Sequence, residues 1–509
     1  MFPNCDYEEI KKDNLAIQAF GKRLYADQTV YEYLLEFLLV YSSDKEKIEG
    51  ENVTYKGAYQ FHKNLEELKY YANPRIGLKR FIFFDKSKKE NRFLIDKKNY
   101  EEIVDILEKN IEGTKDKRAI VEMIQDSFYG FSAVLKSRSW FAQSLLPVAP
   151  ELIFTESIGE KSVRGRLKYQ QEPLNDTEKK FQFSRHSFMA RGGEVYYLHL
   201  LQGLQKRGEL RERLEKYLGK LVHAVDSLGK LGAFIQDKWE QQEDIISEEQ
   251  IRIYECAYIP KGYERRSGYS CEELVNFLST SMNELDKIEY LGIGMMLQIF
   301  RMMYEQAHLR IGEDRMPLWL IDVSQGNKNI KTLAEQSFIT FKETILAANN
   351  VGLCNLNDIK ETKNYKKYSN EELELKLKKD AEKHTTALVN RLGKEIKLMI
   401  PLRGGKERMT FSEEIVTFLV TALLKPSQKV TVDTFYKKLF EHFGIVIGSR
   451  YAREYCRENR MTQNYEIDFK ENEQGFLKLL KNCGYLRELS DATAIVFNPY
   501  EGDEYDGIL

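Results

Sequence analysis

Residues 411–500 constrain this chain more than any other stretch, because their helix, turn and strand signals all agree. Ser412 can cap a helix, and Glu413 and Glu414 in its first turn suit the helix dipole. Ile415, Phe418, Leu419, Ala422 and Leu423 then recur on one face, and Pro426 ends the run. Thr431 or Asp433 opens a second helix whose apolar face carries Phe435, Leu439, Phe440 and Phe443, and Gly444 can terminate it in a left-handed conformation. A polar helix is expected over 449–461. Another, over 473–482, buries Phe476, Leu477 and Leu480 and stops at Gly484. Two short runs, 485–489 and 494–497, joined by Ser-Asp-Ala-Thr, read as strand, turn and strand.

Helices followed by a β-hairpin make a winged helix-turn-helix, whose DNA-binding version lays a recognition helix in the major groove. Charge does not settle whether DNA is the partner. Glu471 and Glu473 sit near the start of the expected recognition helix, where phosphates would repel them, and Lys478 and Lys481 are its cations. The 449–461 helix is better suited. Arg450, Arg453, Arg457 and Arg460 fall on one face and could track a phosphate backbone. The alternative is that Glu454 and Glu458 pair with these arginines along the helix, leaving a merely solvated face. Protein docking by the same module is the competing role.

The rest of the chain narrows the class. Lys plus Arg against Asp plus Glu gives 77 − 79 = −2, so there is no global basic field, and nucleic-acid contact requires a local patch. The six cysteines are scattered, without Cys-x-x-Cys spacing or a histidine at zinc-finger spacing. Structural zinc is therefore not expected, and free thiols fit a reducing cytoplasm. The N-terminus, MFPNCDYEEIKKDN, is acidic and polar rather than a signal peptide, and no apolar run reaches the length of a membrane span.

The sequence thus reads as mainly α with small β elements, in three domains. Residues 1–130 form an α+β unit, 131–400 a mostly helical body, and 401–509 the winged-helix domain with its acidic tail. Within the first, 28–42 reads as a core helix, 81–84 and 93–95 as short strands, and Asn99 as the cap of a following helix. Within the body, Ser270 and Glu273 have capping-box spacing. Residues 319–323 (WLIDV) are the best single strand. Arg403-Gly404-Gly405-Lys406 reads as a hinge.

Three further constellations are candidates for chemistry. In 183–204, FSRHSFMARGGEVYYLHLLQGL, residues Arg185, His186 and Arg191 precede Gly192 and Gly193 at a helix start. Glycines there let backbone N–H groups approach an anion, and the flanking arginines add charge. The spacing is not that of a Walker loop, and a tight turn with internally paired arginines is the alternative. His199, on the helix that follows, reads as a packing residue. In FRMMYEQAHLR, Arg301 and His308 have the spacing of an HEPN-type ribonuclease pair, with His as acid or base and Arg on phosphate. Here Met302 replaces the usual polar residue after the arginine, and the Met-rich surroundings read as core. Asp322 follows the best strand but has no partner acid or lysine suitably spaced. His384 and His442 read as exposed, without a carboxylate partner. No histidine pair supports metal catalysis, and no cofactor or catalytic residue is assigned.

Two stretches carry a resemblance. One is RSWFAQSLLPVAPELIFTE (138–156) joined to FSRHSFMARGGEVYYLHLLQGL. The other is the end module with FGIVIG and LSDATAIVFNPY. Together they resemble uncharacterised helical components of multi-gene bacterial anti-phage defence systems of the methylation-associated type. Proteins of phosphorothioation-dependent restriction clusters are the second family they are similar to. The resemblance implies a non-enzymatic subunit working beside other defence-system proteins. The expectation is a DNA-associated scaffold or sensor whose winged helix contacts DNA or partner subunits, without membrane association. An effector nuclease using Arg301 and His308, or an unrecognised DNase site, is the alternative. A transcriptional regulator is the third reading, although no dimerisation heptad is evident.

Overall fold

A computed structural model describes residues 2, 14–22, 24–25, 28–50, 53–75, 77–79, 81–82, 94–131, 145–153, 192–242, 251–324, 326–361, 365–490 and 493–502. The described chain is mainly helical, with small two- and three-stranded sheets. No described helix is long and apolar enough to cross a membrane. The chain divides into two compact units, each assembled from separated segments.

The first unit comprises residues 1–30, 195–217 and 257–509. Its axis is the helix Glu284–Arg310, capped by the Asn283 side chain and buried along most of its length. A helix apolar all round must be enclosed on all sides. Here Lys328–Asn350 and Glu413–Leu423 pack against it, and Ser267–Leu278 packs on Glu413–Leu423 in turn. Close approach requires Gly294. A Cβ there would lie 2.0 Å from the Phe418 ring. The helix Glu413–Leu423 is itself buried at Ile415 to Leu423, so the first helix of the C-terminal stretch is also part of the body's core.

Residues 411–500 fold as a run of helices closed by strands. Ser412 caps Glu413–Leu423 by accepting from Ile415 N–H. Thr431, rather than Asp433, caps Val432–Phe443, and Gly444 ends that helix at φ 72°. Leu486–Ser490 and Thr493–Phe497 form the expected antiparallel hairpin after Gly484. The second hairpin strand also pairs antiparallel with Lys429–Thr431, giving a three-stranded sheet. The polar helix runs Ser449–Glu458. The last helix runs Glu466–Asn482, starting seven residues before the expected 473.

Other local expectations need correction. The strand proposed for 319–323 is only Trp319–Leu320, pairing in parallel with Ile445–Val446. Arg403-Gly404-Gly405-Lys406 is the tip of a small hairpin between Met399–Ile400 and Arg408–Met409, not a hinge. Its Arg408 guanidinium holds Asp322 at 2.6 Å. Ser270 and Glu273 do not form a capping box. Both lie inside the helix Ser267–Leu278, which starts after Arg266.

The second unit comprises residues 31–194 and 218–256. The helices Leu94–Asn110, Lys117–Tyr129 and Asp226–Gln242 pack together, and two antiparallel pairs of strands accompany them. The short strands expected at 81–84 and 93–95 are helical where described, at Phe81, Ile82, Leu94 and Ile95. Asn99 falls inside Leu94–Asn110 rather than capping it. Tyr100 explains why this stretch packs as a helix: its ring stacks on Phe81 at 6.1 Å, and its hydroxyl reaches Gln125 at 2.7 Å.

Candidate nucleic-acid interface

The helix Ser449–Glu458 is strongly two-faced. Ala452 and Tyr455 are buried, and Tyr451, Cys456 and Met461 flank them, in a cluster with Leu320, Ile330, Phe440, Val446 and Phe469. Arg450, Arg453 and Arg457 lie on the opposite, exposed face. Arg460 is exposed just beyond the helix end, at φ 50°. Among the described residues, none of the four arginines has a carboxylate within ion-pair distance. Glu458 turns instead to Arg315, at 3.9 Å. Arg450 lies over the Tyr451 ring, 5.7 Å from its centroid. The apolar face is fixed by packing, so the arginine face is presented on a rigid support.

The helix is also positioned at its start. Gly448 supplies no side-chain cap, and Glu473 of the last helix approaches Ser449. Its carboxylate lies 3.5 Å from the Ser449 hydroxyl. Burial raises the pKa of Glu473, and the Ser449 hydrogen bond opposes that shift. Sequence position alone offers Glu473 as a charge facing phosphate. It sits instead mid-helix and half-buried, beside the first residue of the arginine helix.

The last helix is fastened by its first half. Asn472 is fully buried: its amide donates to Ile321 C=O at 3.0 Å and its oxygen accepts from Val323 N–H at 2.9 Å. Asn327 donates to Asp468 at 2.9 Å and to Glu471 at 2.7 Å, and Asn329 reaches Asp468 at 3.1 Å. A Cβ on Gly475 would lie 1.9 Å from the Val323 carbonyl oxygen. Lys478 and Lys481 are exposed near the other end, where Lys481 pairs with Glu488 of the hairpin at 3.0 Å.

The other sequence candidates are placed differently. Arg185, His186 and Arg191 lie outside the described residues. Gly192 and Gly193 begin the helix Gly192–Lys206, and the Gly193 N–H donates to buried Glu36 at 2.7 Å. A Cβ on Gly192 would strike the Tyr33 ring, and one on Gly193 would lie 2.1 Å from the Tyr33 carbonyl oxygen. The glycine pair thus allows close backbone packing, and an internal carboxylate takes the N–H that an anion would use.

Arg301 and His308 share a helix but not a site. Arg301 is 1% exposed and His308 5%. His308 stacks edge-on against Tyr304, with Nδ1 3.0 Å from Glu313. Burial lowers its pKa, and Glu313 partly opposes this. Arg301 belongs to a network that spacing in the sequence does not reveal. Its Nη1 donates to Glu273 Oε1 at 3.1 Å and to the His442 carbonyl at 2.8 Å, and its Nη2 donates to Ser270. Glu273 also accepts from Gln298 and from His442 Nδ1, the latter at 2.9 Å. His199 Nε2 lies 2.7 Å from Ser270 Oγ, and its Nδ1 lies 2.8 Å from Tyr263 C=O.

Four helices are tied together by this network, whose residues all lie in the first unit. Burial would raise Glu273, but Arg301 with His442 and Gln298 outweighs it and holds the carboxyl at about 2. Burial, with Arg301 adding to it, lowers His199 to about 3 and keeps its ring neutral. His442, expected to be exposed and unpartnered, is buried beside that carboxylate, and His384 is buried against Leu24 C=O at 2.9 Å. The signal for the network is a lone arginine among methionines, which burial obliges to find a carboxylate. The sequence does not say which. Among the described residues, no group of His, Cys, Asp and Glu could hold a metal ion.

Compared with known protein families, curated proteins and solved structures, the chain matches none.

Proposed function

We propose that this protein is a non-enzymatic nucleic-acid-binding scaffold. Residues 411–500 act as a winged helix-turn-helix with one inserted helix, and that inserted helix, Ser449–Glu458, makes the contact. The order of elements supports the winged-helix reading: helix, strand, helix, last helix and hairpin, with Lys429–Thr431 joined to the second hairpin strand. The observation that carries the nucleic-acid reading is the face of Arg450, Arg453, Arg457 and Arg460, exposed and free of carboxylate partners among the described residues. Exposed guanidinium groups on a packed helix match phosphate in charge and hydrogen-bond geometry. Burial of Arg301 beside Glu273 leaves the nuclease alternative without substrate access at that residue.

The test is binding of the purified chain to a fluorescent DNA duplex at several salt concentrations. Changing the four arginines to glutamate is expected to abolish measurable binding while the melting temperature is kept. Unchanged, salt-insensitive binding would remove this reading. Membership of a bacterial anti-phage assembly is part of the same proposal, motivated by the resemblance of residues 138–156, 183–204 and the end module to components of such systems. Flanking genes for ATPases, methyltransferases or nucleases would support it, and their absence would count against it.

A further inference from the structure

We infer that the arginine helix reads phosphates only, so that this protein binds duplex DNA without regard to base sequence. This rests on the nucleic-acid contact proposed above. In helix-turn-helix proteins the N-terminal residues of the recognition helix reach the base edges. Here the corresponding residues, at the start of Glu466–Asn482, are acidic and already engaged. Asp468 and Glu471 accept from Asn327, and Asp468 also accepts from Asn329. Lys470 lies 3.6 Å from Glu466 of its own helix. Behind them, Asn472 and Gly475 lock the same helix to the backbone of residues 321–323. A groove meeting the outward face of this turn would bring phosphate against the carboxylates of Glu466 and Glu471, which repel it.

The arginine helix has the opposite character. Its exposed face offers guanidinium groups, which serve phosphate and guanine alike. Among the exposed side chains of that face there is no asparagine or glutamine to pair with adenine. The C-terminal Asn459 turns its amide to Tyr455 C=O at 2.8 Å. Contacts to phosphate fix register and carry no sequence information directly. Charge complementarity therefore points to the sugar-phosphate backbone as the occupant.

The experiment measures affinity for a panel of duplexes of equal length and unrelated sequence, at two salt concentrations. It uses the full chain, the Arg450→Gln/Arg453→Gln/Arg457→Gln variant and the Ile467→Ala/Gln474→Ala variant, whose two changed side chains are exposed and uncharged on the helix Glu466–Asn482. Affinities within about threefold across the panel are expected. The triple arginine variant should shallow the dependence of log K on log salt by about 0.9 for each phosphate it no longer neutralises. Ile467→Ala/Gln474→Ala should bind as the unaltered chain does. A preference above tenfold for one duplex, or a loss of binding in Ile467→Ala/Gln474→Ala at an unchanged melting temperature, would overturn this inference while leaving the proposed function standing. Absence of binding to every duplex would overturn the proposed function and this inference with it.

Discussion

Arg301 Nη1 lies 3.1 Å from Glu273 Oε1, with neither side chain reaching solvent. The same guanidinium holds the His442 carbonyl at 2.8 Å, at the end of Val432–Phe443. Its face covers the Phe443 ring, 4.6 Å from the centroid. The second helix of the C-terminal stretch is thereby anchored by a charge from the central helix. A residue that spacing alone offers as a phosphate ligand is instead part of the internal framework.

Removing the carboxylate should expose that dependence. Glu273→Gln leaves Arg301 buried without its counter-charge, a change expected to destabilise by about 3–5 kcal/mol. Glu273→Met with Arg301→Met should lose less than the sum of the two single changes, because the pair is coupled. Denaturant midpoints of the parent, of Glu273→Gln, of the two single methionine variants and of the double variant check both statements.

Acid should weaken the first unit through two groups of this network. His199 stays neutral in the fold down to about pH 3, whereas its ordinary value is 6.5. The unfolded chain therefore binds a proton that the folded chain refuses, and stability falls as pH drops below 6.5. Glu273, held at about 2 against an ordinary 4.5, adds a second loss as pH falls through 4.5 toward 2. Melting temperatures from pH 8 to pH 4 should fall on the acid side. His199→Gln should flatten the part between 6.5 and 4.5, with His308 of the same unit and His62 of the second unit, both lowered by burial, contributing the remainder.

Glu473 is expected to act on DNA binding without touching DNA. Glu473→Ala removes the carboxylate that accepts from the Ser449 hydroxyl at the start of the arginine helix. Loss of one such hydrogen bond costs about 1 kcal/mol. Hydrogen exchange should quicken over residues 449–458, and DNA affinity should fall severalfold. Lys470→Ala, on the outer face of the last helix, should do neither.

Glycines with no room beside them give a sharper structural check. Gly475→Ala would place a methyl group 1.9 Å from the Val323 carbonyl oxygen, which has no flexible end to move aside. Overpacking of this kind costs about 1–3 kcal/mol. Gly193→Ala should behave similarly against Tyr33. Gly405→Ala, at the open hairpin tip with nothing within 4 Å, should stay within about 0.5 kcal/mol of the parent. Thermal unfolding separates the three.

The legible parts of the fold are those decided within one turn or one hairpin. Ser412, Thr431 and Gly444 end helices where their side chains, or the lack of one, satisfy local backbone groups. Gly484 precedes the hairpin, and the arginines at 450, 453 and 457 share a face because helix geometry puts them there. The illegible parts are decided by distant partners. The first half of the last helix, EIDFKEN, has little apolar periodicity, and contacts to Asn327, Asn329 and residues 321–323 hold it helical. Ser270 and Glu273 have the spacing of a cap, yet Arg301, His199 and His442 claim them.

By itself, then, the sequence determined the helical character of the chain, the closing hairpin and the one-sided arginine stripe, since each follows from interactions a few residues apart. Only the tertiary structure decided which charges are buried and which face water. That choice turns on desolvation: an ionised group can leave solvent only where a partner from elsewhere in the chain meets it, as Glu273 meets Arg301 and as no described carboxylate meets Arg453.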